Sequence, residues 1–277
     1  MCLIAFAWHA HPDYPLVLVG NRDEFYARRT RPAAWWGQAV SILAGRDEEA
    51  GGTWLGLTRS GRLAALTNVR GPRERNTHAP SRGGLALAAL QSTDPAAAWL
   101  AAQSVRGGAF NGYNLLLGDV TAAPGSPSGL HYHSNRGTGA PQALEAGVYG
   151  LSNAGLDTPW PKLTRAVARF ACQVAQRVDA DRLLHIFADR VRAHDMDLPI
   201  TGVPMEWERA LSAIQIRAHG YGTRSTTVIT VRADGQVSLL ERSFGSEDAE
   251  QHADRHFEFQ LPRIDRRHRR EPRTDAL

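Results

Sequence analysis

Short, continuous apolar runs separated by polar turns dominate the N-terminal part of the chain. The first run, residues 3–8, directly follows Cys2, and the second, residues 15–20, stops at the polar segment 21–24. Runs of this length predict buried strands, because an isolated helix of so few residues is marginal in water. We therefore expect a hairpin of two core strands joined by the turn at residues 11–14.

The rest of the chain alternates between strand-like segments and segments with a helical period. Further strands are predicted at residues 41–44, 51–58, 62–67, 114–119, 130–134, 148–151, 214–218, 225–231 and 236–242. Helices are predicted at residues 82–91, 96–103, 163–178 and 183–191. Asp181 is placed to cap the last of these helices.

Strand pairs that alternate with amphipathic helices along an unbroken chain predict one domain of the α+β class, residues 1–261. Two stacked antiparallel sheets with helices outside would bury the apolar faces, and the first strand would be central in one sheet. Residues 262–277 are rich in arginine and almost free of apolar side chains. This composition predicts a basic, disordered tail.

Composition argues against several classes of function. The chain is 43% hydrophobic and 22% charged, which is typical of a soluble globular protein. Its formal charge of +4 comes almost wholly from arginine, since Lys162 is the only lysine. The basic residues are scattered and lack interleaved aromatic residues, which argues against nucleic-acid binding. No apolar run is long enough to predict a membrane span.

Cysteine and histidine usage restricts the chemistry further. Cys2 and Cys172 are the only cysteines, so no disulfide framework is expected and a reducing compartment suits the chain. The N-terminal run lacks the basic region and the length of a signal peptide, so we expect a cytoplasmic protein. Two pairs of histidines are separated by one residue, namely His9 with His11 and His131 with His133. Neither pair has a third ligand at metal spacing, so we interpret them as surface histidines and predict no metal site.

Cys2 is the leading candidate for chemistry. Removal of an initiator methionine is usual before a small residue, and would leave an α-amine and a thiol on one residue. An α-amine has an ordinary pKa of about 7.7–8.0, so near neutrality it can act as a base toward the thiol. These groups are the minimal apparatus of an N-terminal-nucleophile hydrolase. The alternative is a small, buried cysteine without reactivity, which describes most cysteines.

Several blocks of the sequence resemble the NRDE family, also described as transport and Golgi organisation protein 2-like. The blocks are residues 1–4, 21–26, 42–47, 51–56, 66–68, 110–115, 149–153, 158–160 and 220–224. They follow one another in order and with compatible spacing over most of the chain, which short motifs rarely do by chance.

The resemblance implies an N-terminal-nucleophile fold, a four-layer αββα sandwich in which two antiparallel sheets lie between layers of helices. The activity that it implies is less definite, because members of the family are described either as hydrolases or as factors in haem and lipid handling.

At sparse points the chain also resembles the cysteine-dependent penicillin V acylase and bile salt hydrolase group. The catalytic residues that this second resemblance implies are Cys2, Arg22, Asp23, Asn153 and Arg224. A nearby arginine favours the thiolate, so Arg224, helped by Arg22, would lower the thiol pKa. Asp23 would accept a hydrogen bond from the α-ammonium group, and asparagine amides would donate to a developing oxyanion.

Substrate contacts are expected at the neighbouring positions Asn21, Asn68, Trp54 and Arg70. Asn68 follows a predicted strand and is a further candidate for the oxyanion donor. Arg70 begins a loop rich in proline and glycine that could close over a site near Asn68.

One feature of this assignment conflicts with strand geometry. Arg22 and Asp23 are adjacent, and adjacent side chains on a strand point to opposite faces of the sheet. Both can reach one site only if the strand ends or bulges at residues 20–21. The assignment of Asp23 is therefore the stronger of the two, and Asn21 is an alternative polar contact to Arg22.

Two functions of different classes remain open at the level of sequence. The first is a hydrolase that cleaves a non-peptide amide, or a related acyl bond of a small molecule, through a thioester on Cys2, without a cofactor. The second is a carrier that binds haem or an acyl-CoA-like lipid in the same cavity without turnover. The sequence alone decides neither the substrate nor the oligomeric state, because sites and not folds carry function.

Overall fold

The computed structural model describes residues 2–36, 40–71, 76–137, 139–245 and 252–262. The strands, in chain order, are β1 Cys2–Trp8, β2 Leu16–Phe25, β3 Thr30–Trp36, β4 Ile42–Asp47, β5 Leu55–Thr58, β6 Arg62–Asn68, β7 Tyr113–Asp119, β8 His131–Ser134, β9 Gln142–Ala143, β10 Gly147–Leu151, β11 Arg217–Ala218, β12 Tyr221–Val231, β13 Gln236–Phe244 and β14 His252–Gln260. The helices are α1 Arg82–Gln91, α2 Ala96–Ser104, α3 Pro161–Gln176, α4 Ala180–Phe187 and α5 Met205–Leu211.

The strands form two antiparallel sheets. The first sheet has the order β10-β1-β2-β12-β13-β14, with β11 paired to β12. The second has the order β3-β4-β5-β6-β7-β8-β9. The strand β1 is interior to the first sheet, between β10 and β2, while β2 and β12 lie nearer its middle. The apolar sequence of β1 follows from this place, because an interior strand in a covered sheet is buried on both faces.

The apolar side chains of β1 divide between two cores. Ile4, Phe6 and Trp8 belong to the core between the two sheets, where they meet side chains of β4 to β8. The alternate residues, such as Leu3 and Ala5, pack under helices α3 and α4. A strand places successive side chains on opposite faces, so this division is the expected one.

A third core lies on the outer face of the second sheet. Side chains of α1 and α2, among them Leu85, Leu90 and Trp99, pack there against Ile42 and Leu115 of the strands. Helices therefore cover both outer faces, and the layers run helix, sheet, sheet, helix. The predicted αββα sandwich is confirmed.

The strand β2 is longer than its apolar run predicts. The prediction ended it at residue 20, whereas it continues through the polar residues to Phe25. Its neighbours explain the difference, because β1 pairs Cys2 with Arg22 and β12 pairs Thr223 with Asp23. Hydrogen bonds to strands on both sides keep the backbone extended whatever the side chains are.

Three further expectations need correction. Asp179, and not Asp181, caps α4, since its carboxylate accepts from the backbone N–H of Arg182 at 3.1 Å. His131 and His133 are buried rather than at the surface, because β8 lies inside the second sheet. The strands β3 and β14 had no counterpart in the predicted elements. Of the predicted tail, residues 263–277 lie outside the described residues.

Candidate functional site

A cavity of about 580 Å³ opens where β1 begins and β2 ends. Its floor is formed by side chains from both sheets, including Cys2, Arg22, Trp54 and Asn68. Residues 76–83, which lead into α1, form one wall, and residues 203–211 around α5 form the opposite wall. The cavity therefore brings together parts of the chain that are far apart in sequence.

Cys2 is 7% exposed and lies at the end of an interior strand. Its Cα partner across the ladder is Arg22, so both side chains leave the same face of the sheet. The backbone N–H of Asp23 donates to the Cys2 sulfur. Burial raises the pKa of the Cys2 thiol above its ordinary value, with Asp23 adding to that effect and Arg22 opposing it.

The raised thiol pKa overturns the expectation of a thiolate favoured at neutral pH. Desolvation disfavours the charged form of a thiol, and here it outweighs the nearby arginine. The protein without substrate therefore holds Cys2 as a neutral thiol at pH 7.

Arg22 is the arginine beside Cys2. Its guanidinium lies over the Trp54 ring at 4.3 Å from the centroid, which fixes its position by a cation–π contact. Its Nη1 is buried without a hydrogen-bond partner among the described residues. A guanidinium held in this way can donate to a ligand in the cavity.

Asp23 also lines the cavity, although it leaves the other face of β2. Its Oδ1 accepts from the Thr223 hydroxyl at 2.7 Å, and the Tyr221 hydroxyl donates to its backbone carbonyl at 3.0 Å. Burial raises the pKa of the Asp23 carboxyl group, and the positive charge of Lys162 opposes that effect.

The expected bulge occurs on the neighbouring strand and not on β2. The pairing of β2 with β12 shifts by one residue between Thr223 and Ser225, whereas β1 and β2 stay in register through residues 20–22. Arg22 and Asp23 reach one cavity because it surrounds the end of the sheet and contacts both faces of β2.

Arg224 stands at that bulge and does not line the cavity. Its Nη1 donates to the backbone carbonyl oxygens of Phe25, Tyr26 and Arg28 at 3.1–3.2 Å. These bonds hold the turn after β2. The amino terminus and Arg22 lower the pKa of the Cys2 thiol against the effect of burial, and Arg224 is not among the groups that act on it.

The two asparagines proposed as oxyanion donors have different environments. Asn153 lies two residues beyond the pair Ile4–Leu151 of the β1–β10 ladder, on the side toward Cys2. It is fully buried and its Nδ2 donates to the backbone carbonyl of Asn68 at 2.9 Å. Asn68 itself lines the cavity. The structure thus places Asn153 behind Asn68, where it supports the backbone of the cavity floor.

Asn21 and Arg70 do not line this cavity. Asn21 faces the helices, and its Nδ2 donates to the carbonyl oxygens of Phe187 and Ile214 at 3.0 and 2.9 Å. Arg70 is buried in an ion pair with Glu208, with 3.0 Å between Nη1 and Oε2. Trp54, the remaining predicted contact, does line the cavity.

Sequence reasoning missed the role of Lys162. This side chain is 2% exposed, and its Nζ has no hydrogen-bond partner among the described residues. Burial lowers its pKa to about 8, while the charge of Asp23 acts in the opposite direction. The signal was present in the sequence, since this is the only lysine and it lies at the start of α3.

The two walls of the cavity differ in character. The wall around α5 is apolar, with contributions from Val203, Pro204, Trp207 and Leu211, and Phe25 and Trp207 both pack against Tyr221. The wall before α1 carries the polar side chains of Asn76, Thr77, Ser81 and Arg82, and Asn111, Glu24, Arg28 and Asp47 add further polar and charged groups to the lining. A ligand with one apolar and one polar end matches this division.

The described residues contain neither a metal-binding cluster nor a membrane-spanning helix. No group of three or more His, Cys, Asp or Glu side chains is arranged to hold a metal ion. No helix in the described part of the chain is long and apolar enough to span a membrane.

Comparison with known proteins gives the family. The family model described as Transport and Golgi organisation 2 matches residues 1–246. The human Transport and Golgi organization protein 2 homolog is 37% identical over 279 residues, covering 94% of this chain and 99% of its own. The chain belongs to this family. The bovine member is 38% identical and covers 90% of this chain and 95% of its own. A Drosophila melanogaster member is 27% identical, and the match covers 88% of this chain and 92% of its own.

Solved structures similar to this family member are distant in sequence. A mutant conjugated bile acid hydrolase from Clostridium perfringens is 9% identical with a TM-score of 0.44, covering 95% of this chain and 97% of that one. Penicillin V acylase from Agrobacterium tumefaciens is 11% identical with a TM-score of 0.39, covering 87% of this chain and 82% of that one. Likenesses of this degree give no correspondence of individual residues.

Proposed function

We propose that the protein is a cysteine N-terminal-nucleophile hydrolase that cleaves a non-peptide amide, or a related acyl bond, of a small molecule through a thioester on Cys2. The observation that carries this proposal is the position of Cys2, on the floor of the cavity at the end of β1 and beside the arginine Arg22. A nucleophile in such a position can meet a bound carbonyl group, and Arg22 can donate to it.

Because the Cys2 thiol is neutral, its attack on a substrate needs a base that removes the thiol proton. Because burial raises the thiol pKa, thiolate is scarce at pH 7 and a nearby group must take the proton. Removal of Met1 would place the α-amine of Cys2 next to its own thiol, with an ordinary pKa of about 7.7–8.0. Asp23, whose backbone N–H already donates to the Cys2 sulfur, is adjacent and would orient that amine.

The reaction proceeds in two acyl transfers. The Cys2 sulfur attacks the substrate carbonyl carbon as the α-amine takes the thiol proton, and a carbon–sulfur bond forms. The carbon–nitrogen bond then breaks, the α-ammonium proton goes to the leaving amine, and a thioester remains. Water attacks the thioester and gives a proton to the α-amine, and the carbon–sulfur bond breaks. The carboxylic acid leaves and the thiol regains its proton.

The side chain of Asn68 is the oxyanion donor in this proposal. It lies on the cavity floor, whereas Asn153 is buried behind it with Nδ2 bonded to the Asn68 carbonyl oxygen. An amide fixed in this way stabilises the charge that develops on the carbonyl oxygen, and Arg22 is the second donor.

The two walls define the substrate class. The apolar wall at Trp207 and Leu211 fits the acyl chain, and the polar wall at Asn76 and Arg82 fits the amine-bearing part. The proposed substrates are therefore N-acyl amides with an apolar acyl group and a polar head.

The test uses the purified full chain after intact-mass measurement of the N-terminus. N-acyl amides of increasing acyl length are supplied, and release of amine is followed by mass spectrometry. We expect protein that lacks Met1 to turn over at least one of them, with an acyl adduct on Cys2. The Cys2→Ala variant should be inactive, and Cys172→Ala, which alters an exposed cysteine, should be fully active. Turnover by Cys2→Ala, or none by processed protein, would reject the hydrolase.

A carrier is the second candidate, and the amphipathic cavity is the observation that favours it. An acyl-CoA-like lipid would use the same two walls. Haem would find Cys2 as an iron ligand and Arg22 and Arg82 for its propionates. Titration with haemin and with acyl-CoA tests this candidate. Tight binding without turnover, at an affinity unchanged in Cys2→Ala, would favour an acyl-CoA carrier over the hydrolase.

A further inference from the structure

Lys162 is a buried cation whose ammonium group has no hydrogen-bond partner within the described parts of the chain. It is the only lysine of the chain, it is among the largest fully buried side chains, and its Nζ makes no hydrogen bond to the described residues. Burying an ammonium group without a hydrogen bond is costly, and a hydrophobic residue in the same place would avoid that cost. The surroundings of Lys162 indicate why a charge stands there.

Titratable groups on four elements act electrostatically on Lys162. They are Asp23 at the end of β2, Cys2 at the start of β1, Arg70 after β6 and Glu208 on α5. Glu208 pairs with Arg70 and also accepts from the backbone N–H and the hydroxyl of Thr201. Of the groups that favour the ammonium form of Lys162, Asp23 has the largest effect.

Asp23 needs this cation because its surroundings favour the neutral acid. Burial raises the pKa of its carboxyl group, and Glu24 acts in the same direction. Lys162, the amino terminus and the Thr223 hydroxyl oppose the effect of burial on this pKa, and the effect of Lys162 is the largest of the three. Tyr221, also beside Asp23, stays neutral because burial raises its pKa well above the ordinary value.

We propose that Lys162 is a positioning residue of the hydrolase site, which holds Asp23 as a carboxylate so that Asp23 can accept a hydrogen bond from the α-amino group of Cys2. The inference rests on the proposed function for its consequence, but the electrostatic effect of Lys162 on the Asp23 carboxyl group is testable by itself. Lys162 does not line the cavity, so it acts through Asp23 and not on the substrate.

The experiment compares four forms of the full chain. They are wild type, Lys162→Met, Lys162→Arg and, as a matched control on the same helix, Arg165→Met. Arg165 pairs with Asp189 on the outside of α3, at 3.1 Å between Nε and Oδ2. The protein carries ¹³Cγ-labelled aspartate, and the Asp23 carboxyl signal is assigned by Asp23→Asn. Its titration is followed by NMR, and kcat/KM is measured over pH 5–10.

Lys162→Met should move the titration midpoint of Asp23 to higher pH, since a cation that favours the carboxylate is lost. At pH 6 its kcat/KM should be about tenfold below wild type. Above pH 9 the two should converge, because wild type has then lost the Lys162 proton, which has a pKa of about 8. Lys162→Arg should keep the wild-type dependence of kcat/KM on pH below pH 7. Arg165→Met should match wild type in kcat/KM and in the Asp23 titration over the whole pH range.

Two results would overturn the inference. One is an unchanged Asp23 midpoint and an unchanged acid limb in folded Lys162→Met. If that variant does not fold, the ¹³Cε-labelled side chain of Lys162, the only lysine, decides: its titration midpoint should fall in Asp23→Asn, because the carboxylate that favours the ammonium form is lost. An unchanged Lys162 midpoint in Asp23→Asn is the second. A wild type without turnover would reject the hydrolase alone, since the NMR titration needs no substrate.

Discussion

Arg70 and Glu208 form a buried ion pair that joins the end of β6 to α5, with 3.0 Å between Nη1 and Oε2. Arg70 follows β6 of the second sheet, and Glu208 belongs to α5. The Arg70 guanidinium also lies over the Trp160 ring, at 4.5 Å from its centroid. This ion pair thus connects the wall around α5 to the strand that carries Asn68. Its loss should therefore lower the free energy of unfolding.

The variant Glu208→Gln should lower the free energy of unfolding by about 3–5 kcal/mol, because it leaves a buried guanidinium uncompensated. The matched control is Asp195→Asn, which breaks the exposed pair of Asp195 with Arg209. Exposed ion pairs contribute little to stability, because solvent and salt screen them, so Asp195→Asn should unfold close to wild type. Urea unfolding of the three proteins measures both effects, and equal losses in the two variants would contradict the buried pair.

Cys2 should react slowly with a small alkylating reagent at pH 7, because burial raises its thiol pKa. Exposed Cys172 serves as the internal reference. Arg22→Met should move the labelling curve of Cys2 to still higher pH, since Arg22 is the arginine that lowers this pKa. Arg224→Met should leave the midpoint in place, as Arg224 is bonded to backbone carbonyls. Peptide mass spectrometry over pH 6–10 gives both curves. An equal effect of the two variants would contradict this geometry.

Asn68→Ala should lower kcat by about 10²–10³, because one oxyanion donor is lost, with little change in KM. Asn111→Ala is the control, since Asn111 lines the same cavity on its polar wall, where its amide bonds to the loop at Asn76. Steady-state kinetics on the best N-acyl amide separates the two effects. A loss confined to KM in Asn68→Ala would assign Asn68 to substrate binding instead.

Trp207→Ala should weaken binding of long-chain substrates by about tenfold or more, because a buried aromatic contact on the apolar wall is lost. Short-chain substrates should be affected less. Met205→Ala, on the same helix but outside the cavity, is the control. The measurement is KM as a function of acyl length. An equal rise of KM for all substrates would indicate a general change of structure and not the loss of one contact on the apolar wall.

Lys162 should make stability depend on pH in a defined window. In the unfolded chain it stays charged up to about pH 10.5, and in the folded chain only up to about pH 8, since burial lowers its pKa. Between these values the unfolded state binds more protons, so wild-type stability should rise with pH relative to Lys162→Met. The gap from 10.5 to about 8 corresponds to about 3 kcal/mol. Urea unfolding at several pH values checks the slope, and a flat difference would contradict it.

The local pattern of apolar and polar residues predicted the core strands and the layers of sheets and helices, because apolar runs and helical periods depend only on residues that are near each other in sequence. It predicted neither the length of β2 nor the strand β14. The polar end of β2 is held by hydrogen bonds to β1 and β12, which lie elsewhere in the sequence. The strand β14 is a mostly exposed edge strand whose first half is polar, and only Phe257 and Phe259 near its end pack against the core.

The site was predictable only in part. Position in the sequence indicated Cys2, and the family resemblance indicated Asp23. Arg22 and not Arg224 lies beside Cys2 because of the bulge in β12, which sequence does not reveal. Asn68 and not Asn153 lines the cavity because of the way the two sheets meet, which sequence does not reveal either. Lys162 reaches the site through the packing of α3, which the sequence of that helix does not reveal.

The single, buried lysine has a practical consequence for handling the protein. Reagents that acylate amines need an accessible, neutral amine, and Lys162 is 2% exposed. In folded protein such a reagent would modify the amino terminus alone, so one added mass would report on its chemical state. Immobilisation through amines would likewise act at the end where β1 begins, on the floor of the cavity, and would therefore obstruct ligand binding.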